Sequence, residues 1–277
     1  MAGRNLMEKE SINLSPVVSS KDGLPVYFLT GKNYLYQTLY CIQSLALVSS
    51  EKFQFILVDD GSFNTEIIQR IEKQLPGAKI VTQDEISLNL ADKLPQHLYP
   101  CLHHKRMVYP HIKKLTDVHT LPGTLWKLVL DSDMLFWDEP VKMINWLRKP
   151  TQPIHMVDCV EAYGYSKGLM EQLCSSAIAP LINVGAIGLN SDAINWGEVE
   201  TWVKELEKQE GASYYLEQAL TAMLIGTQPA TVLDAGSYIV NPANEMIKNK
   251  LGTLHHYVDL SKQDYFKWTW KQFIKPA

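Results

Sequence analysis

Asp131 and Asp133 stand one residue apart at the end of an apolar run, Lys-Leu-Val-Leu-Asp-Ser-Asp-Met-Leu-Phe (127–136), and hydrophobic sequence resumes directly after them. Two ionised carboxylates held about 4 Å apart repel by about 4 kcal/mol at an effective dielectric of roughly 20, so the pair needs a positive partner. Residues i and i+2 of an extended segment point the same way. Asp131 and Asp133 can therefore converge on one cation while Ser132 turns aside. Hard oxygen ligands favour Mg²⁺ or Mn²⁺, and such an ion is commonly shared with substrate phosphates. The competing reading makes Asp131 the cap of the next turn and leaves Asp133 solvated, and the spacing alone does not choose between the two.

The elements that must position this pair follow a regular device. Residues 24–31, Leu-Pro-Val-Tyr-Phe-Leu-Thr-Gly, read as a strand ending in Thr30-Gly31, followed by a helix with Leu35, Leu39, Ile42 and Leu45 at helical spacing. Residues 53–62 repeat it: an apolar run, then Asp59-Asp60-Gly61-Ser62, then a helix with Ile67, Ile68, Ile71 and Leu75 on one face. A third short strand starts at Lys79, and Trp126–Leu130 makes the fourth, leading into Asp131. Strand, helix, strand, helix at this pitch predicts an α/β domain with a mostly parallel central sheet flanked by helices. Ligands of such sheets bind beyond the carboxyl ends of the strands, which gathers Thr30-Gly31, Asp59-Asp60 and Asp131-Asp133 along one edge. Residues 1–22 are polar, Ser-rich and aperiodic and are expected to form a flexible tail, leaving one domain over 23–277.

The 277 residues are 46% hydrophobic, enough for a full-sized core. A formal charge of −4 excludes the strongly basic balance of a nucleic-acid binder, so no nucleic-acid partner is expected. Cys41, Cys101, Cys159 and Cys174 show no C-x-x-C pair and lie among apolar neighbours, which predicts reduced core thiols. No uninterrupted apolar stretch of about 18 residues occurs, and the first residues have no leader-like pattern. No transmembrane segment and a cytoplasmic location are the expectations.

Together with its surroundings, the acidic pair gives a sequence that resembles the GT-A nucleotide-sugar transferases, and among them the glycosyltransferase family 8 pattern, over residues 25–262. The opening strand, turn and helix (Leu29–Leu45) are similar to the family's nucleotide-contacting start, which implies Thr30, Gly31 and Tyr34 at the nucleotide, although Gly31-Lys32 stands where many members place an acid. Asp59 and Asp60 resemble nucleobase-facing acids; their other reading is ordinary turn chemistry. In residues 111–122 Lys114 takes the family's basic position before the acidic strand. Asn183 and Gly185 in Ile182–Ser191 look like the strand under the donor sugar, the glycine letting the backbone come close. Glu217 and Gln218 match the family's acid-Gln element nearest the chemistry, but its second acid is Ala219 here. The interval from His256 to Lys262 matches a C-terminal element whose His completes the metal site and whose Lys binds diphosphate. Asp259 replaces a family glycine within it, and the neighbouring His255 leaves the register ambiguous by one residue.

The resemblance thus implies a single GT-A, Rossmann-like domain that transfers a sugar from a nucleoside diphosphate to an acceptor hydroxyl, with retention of anomeric configuration. Asp131, Asp133 and His256 would hold Mn²⁺ or Mg²⁺. Ser132, Lys262 and Lys114 join the expected donor contacts, and Glu217 or Gln218 lies closest to the reacting carbon. The partners are a UDP- or GDP-sugar and a glycan or small-molecule hydroxyl, and a homodimer is compatible. The acceptor side is expected at Val157–Gly168 and at the aromatic stretch Tyr265–Phe273, where Tyr163, Tyr165, Trp268 and Trp270 either stack on a ligand or pack in the core. Two other functions stay open: a haloacid-dehalogenase-like Mg²⁺ phosphatase, against which speak the mid-chain position of the pair and Leu135 after it, and a non-catalytic nucleotide-sugar or glycan-binding module, for which Ala219 speaks.

Overall fold

The computed structural model describes residues 2–274. Its larger sheet contains β1 (Leu24–Thr30), β2 (Phe53–Asp59), β3 (Lys79–Val81) and β4 (Trp126–Leu130), joined further along the chain by β6 (Ile154–Val157), β7 (Ile182–Asn190) and β8 (Thr231–Leu233). The strand order is β3-β2-β1-β4-β7-β6-β8. β1, β2, β3 and β4 run parallel to one another, and β7 is inserted antiparallel between β4 and β6. The continuous apolar runs read from the sequence are buried on both faces, as in β7, where only the last residue is less than fully buried. One core packs Phe28, Leu57, Tyr40 and Trp270 on one side of the sheet, and a second packs Tyr27, Val58, Ile187 and Leu220 on the other.

A smaller sheet decides where the site lies. It is formed by β5 (Met134–Phe136), β9 (Tyr238–Val240) and β10 (Leu254–His256), in the order β5-β10-β9. The chain leaves the large sheet at Leu130 and enters the small one at Met134, so Asp131–Asp133 is the crossing between the two. β10 pairs antiparallel with β5, with His256 opposite Met134. Two backbone bonds lock the crossing: Asp131 N–H donates to the Gly185 carbonyl at 2.7 Å, and Tyr257 N–H donates to the Asp133 carbonyl at 2.9 Å.

The stretch 1–22, expected as a flexible tail, instead carries a helix over Ala2–Glu10 and a 3-10 turn over Ser11–Asn13. Met7 and Leu14 are buried, Arg4 lies 4.8 Å above the Phe266 ring, and Gln74 and Arg70 donate to the backbone and hydroxyl of Ser11. So few inward-facing positions among polar ones leave no periodic signal. The same packing takes in part of the aromatic stretch expected near an acceptor: Trp270 is buried against Tyr40, with ring centroids 5.5 Å apart. Tyr163 is also a core residue, its hydroxyl donating to the Ala179 carbonyl. The four thiols are free, but only Cys41 is buried and Cys159 is exposed, which corrects the expectation of four core thiols.

Candidate active site

Asp131, Asp133 and His256 come together at the crossing between the sheets, with one potential ligand atom from each lying within 4.8 Å of the others. His256 Nε2 is 3.3 Å from Asp133 Oδ1 and 3.7 Å from Asp131 Oδ2. Strand alternation resolves the histidine register. His255 points to the opposite face of β10, fully buried, where Trp137 Nε1–H donates to its Nδ1 at 2.9 Å and its Nε2 is 2.6 Å from the Leu251 carbonyl. Burial pushes His255 down to about 4, so it is a neutral core histidine. Gly185 makes room for His256, because a Cβ there would lie 2.4 Å from Nδ1 of the ring. The sequence suggests a glycine that lets a sugar approach the backbone; in the structure its missing side chain makes room for the imidazole.

Two lysines balance the acids. Lys262 Nζ lies 3.2 Å from Asp133 Oδ2. Burial would raise Asp133, but His256 and Lys262 beside it hold its carboxyl well below the usual carboxylate range. Lys114, buried on the helix Lys113–His119, donates to Asp131 Oδ1 at 2.9 Å and to the Val184 carbonyl at 3.3 Å, and its Nζ is 3.3 Å from Glu217 Oε2. Its burial works against the charge, yet Asp131 and Glu217 on either side keep the ammonium protonated well above the ordinary lysine range. Glu217 opens the helix Leu216–Ile225 and is itself buried. Burial pushes its carboxyl up to about 7, opposed by Lys114 and reinforced by the charge of Asp131. Its Oε1 has no hydrogen-bond partner among the described residues.

Next to this ionic core is a polar triad, one member of which was not singled out from the sequence. Asp158, just past the end of β6, accepts on Oδ2 from Asn183 Nδ2 at 2.9 Å and from Gln218 Nε2 at 3.1 Å. Asn183 Oδ1 accepts from the Gly185 N–H at 2.9 Å and lies 3.3 Å from His256 Nδ1, so the triad is joined directly to the Asp131–Asp133–His256 cluster. A lone Asp after a short strand carries no spacing signal. Its position after an apolar run on the same sheet edge was the one available clue.

At the other end, the residues expected at a nucleotide divide. Tyr34 is exposed beside the start of the helix Leu35–Val48. Thr30 is fully buried, and its hydroxyl is 2.8 Å from that of Thr38, which is in turn 2.8 Å from the Ser132 hydroxyl. Thr30 and Ser132 thus share the Thr38 hydroxyl as a hydrogen-bond partner. Asp59 is buried too: its Oδ1 accepts from the N–H groups of Gly61, Ser62 and Phe63 at 2.8 to 2.9 Å, the turn chemistry that was its other reading. Asp60 is half-buried and lies against Gly31, whose hypothetical Cβ would overlap its carboxylate at 2.0 Å. Gly31 therefore admits the Asp60 side chain.

The architecture has counterparts among solved structures. Galactosyltransferase LgtC, in complex with donor and acceptor sugar analogues, superposes with a TM-score of 0.59 over 90% of this chain and 93% of its own, at 14% identity. The chain has the GT-A fold. Mouse xyloside xylosyltransferase 1 in its apo form matches over 87% of this chain and 98% of its own, with a TM-score of 0.57 and 11% identity. The S. cerevisiae mannosyltransferase Ktr4p matches with a TM-score of 0.52 and 10% identity, over 84% and 77% of the two chains. Compared by sequence, the chain matches no family model and no curated protein. At 10–14% identity the likeness to these structures is one of fold. Among the described residues, no helix is long and apolar enough to cross a membrane.

Proposed function

We propose that the chain is a metal-dependent glycosyltransferase that moves a sugar from a nucleoside diphosphate to an acceptor hydroxyl. One observation carries the reading: in a GT-A fold, the Asp131–Asp133–His256 cluster sits between Lys262 and the Asp158–Asn183–Gln218 triad. Two carboxylates and an imidazole, with no thiol, fit Mn²⁺ or Mg²⁺. Gly185 keeps the imidazole's place open, which supports a ligating role.

Asp131, Asp133 and His256 would hold the cation, which when bound supplies Lewis-acid stabilisation to the departing diphosphate. Lys262, partly exposed and next to Asp133, offers a point charge to a phosphate oxygen. Lys114 is too buried to reach far; it fixes Asp131 and Glu217 with respect to each other. Asp158, Asn183 and Gln218 present hydrogen-bonding groups from three separate elements to the hydroxyls of the sugar, and Gln218 with Glu217 lies closest to the anomeric carbon. Tyr34 and Asp60 border the nucleotide. We assign a UDP- or GDP-sugar as donor, retention of configuration, and action in the cytoplasm.

The test is donor turnover. Incubated with a panel of UDP- and GDP-sugars, the protein is expected to release nucleoside diphosphate from at least one donor with Mn²⁺ present, and to stop on addition of EDTA. Absence of release from every donor, or release that EDTA does not touch, contradicts the reading.

A further inference from the structure

Lys262 stands second in the helix Ser261–Lys267. A helix of seven residues has little stability of its own, so the surfaces it packs against decide where Lys262 stands. At its start, the Ser261 N–H donates to Asn241 Oδ1 at 3.1 Å and the Ser261 hydroxyl donates to the Val258 carbonyl at 2.7 Å. One turn on, Tyr265 is fully buried, and its ring stacks on that of Tyr257 with centroids 4.8 Å apart and planes inclined by 22°. Tyr257 is the residue whose N–H holds the Asp133 carbonyl. The helix that carries Lys262 is thereby tied to the acidic crossing.

At its other end it is pressed by the helix Ala2–Glu10. Gly3 meets backbone there: a Cβ at Gly3 would lie 2.4 Å from the Phe266 carbonyl oxygen, 3.0 Å from its carbon and 3.5 Å from Lys267 Cα. The Arg4 guanidinium stands 4.8 Å from the centre of the Phe266 ring, a cation over an aromatic face, and Met7 is fully buried one turn further on. The far end of this contact is fixed to the frame of the domain. Arg70 Nη2–H donates to the Ser11 hydroxyl at 2.6 Å and Gln74 Nε2–H to the Ser11 carbonyl at 2.7 Å, both from the helix Thr65–Gln74, whose Ile67 and Ile71 belong to the core. The first helix is therefore a strap, anchored at Ser11 and bearing on the helix of Lys262 at Gly3 and Arg4.

We propose that the helix Ala2–Glu10 positions Lys262 for the donor diphosphate, with Gly3 and Arg4 as the positioning residues that seat the helix Ser261–Lys267. This rests on the glycosyltransferase reading above, in which Lys262 meets a phosphate oxygen. At an effective dielectric near 20, a unit-charge contact that lengthens from about 3 to about 4 Å weakens binding about tenfold. Gly3→Ala imposes a displacement of this size, because the Phe266 oxygen at 2.4 Å is backbone and cannot swing aside, while ordinary contact begins at 3.4 Å. Alanine is also the better helix former, so the variant disturbs the contact without melting the first helix.

The experiment is a double-mutant cycle read in UDP and GDP binding with Mn²⁺ present: wild type, Gly3→Ala, Lys262→Ala and the two combined. Lys262→Ala is expected to weaken the tighter-binding nucleotide about tenfold or more, and Gly3→Ala by roughly three- to tenfold. In the Lys262→Ala background Gly3→Ala should add nothing, since it acts through the lysine; a merely structural contribution is lost equally in both backgrounds. Arg4→Ala, which carries the same cycle if Gly3→Ala does not fold, should lose affinity in the same direction, and Arg4→Lys, which keeps a cation over the Phe266 ring, should restore it. Affinity unchanged in Gly3→Ala and Arg4→Ala, or a loss of equal size with and without Lys262, overturns the inference and leaves the transferase reading standing. If neither nucleotide binds with Mn²⁺, or Lys262→Ala binds as wild type does, the diphosphate role of Lys262 falls and takes this inference with it.

Discussion

A Cβ added at Gly185 would meet the His256 ring at 2.4 Å from Nδ1 and 2.5 Å from Cε1, and Met134 Cε at 2.6 Å, whereas ordinary contact begins at 3.4 Å. In Gly185→Ala the ring must therefore retreat by 3.4 − 2.4, or about 1 Å, because β10 is pinned to β5 and β9 by its pairing. Metal–ligand distances tolerate only about 0.2 Å of error. The expected loss in Mn²⁺ affinity is roughly 10- to 100-fold, the size seen when a ligand's support is removed, or about 1.4 to 2.7 kcal/mol. Overpacking adds a stability cost of about 1–3 kcal/mol. Gly188, on the same strand, separates the two effects: its Cβ would meet Trp146 at 2.4 Å and Ile154 at 2.6 Å, in the core and away from His256. Mn²⁺ binding measured by electron paramagnetic resonance, with urea unfolding in parallel, should show both variants destabilised and only Gly185→Ala impaired for metal. Wild-type Mn²⁺ affinity in Gly185→Ala would refute the reasoning.

Asp133→Asn should lower donor turnover by roughly 100-fold or more, the order lost with one electrostatic stabiliser, and near-normal turnover at limiting Mn²⁺ would speak against a ligand role. Asp59→Ala leaves three turn N–H groups without their acceptor and should cost about 1–3 kcal/mol in urea unfolding; an unchanged midpoint would return Asp59 to the nucleotide. Lys127, buried with its Nζ on the Ser191 hydroxyl, is pushed down to about 8 by burial from an ordinary value of 10.5. A depressed folded value means that this group's contribution to stability is full above pH 10.5 and is lost as the pH falls through 8. Lys127→Met should thus raise the melting temperature relative to wild type more at pH 7 than at pH 10, and a pH-independent difference would contradict a strained buried charge.

The parts of the fold and site that were legible in the sequence share a physical basis. β1, β2 and β4 are apolar runs buried on both faces, and such runs leave no doubt about burial. Asp131 and Asp133 stood out because charge at the end of such a run needs a partner. What failed were positions where one residue type serves two chemistries. Asp59 and Asp60 are adjacent acids, and only the tertiary turn shows that the first caps N–H groups while the second lies against Gly31. Thr30 and Ser132 are polar at the correct edge, and both hydroxyls bond to that of Thr38. The choice between His255 and His256 depended on which face of β10 meets β5's crossing, a matter of register that single-sequence spacing does not contain. Asp158 was missed because what makes it a site residue is the convergence of Asn183 and Gln218 from 25 and 60 positions away.

Calorimetric titration with UDP and GDP, in Mn²⁺ and again in EDTA, tests most directly whether this cluster grips a diphosphate through a divalent cation. One of the two nucleotides should bind at least tenfold tighter with Mn²⁺ than without, and His256→Ala should remove that gain while preserving the fold. Equal affinity with and without the metal, or a gain that survives His256→Ala, would contradict the account.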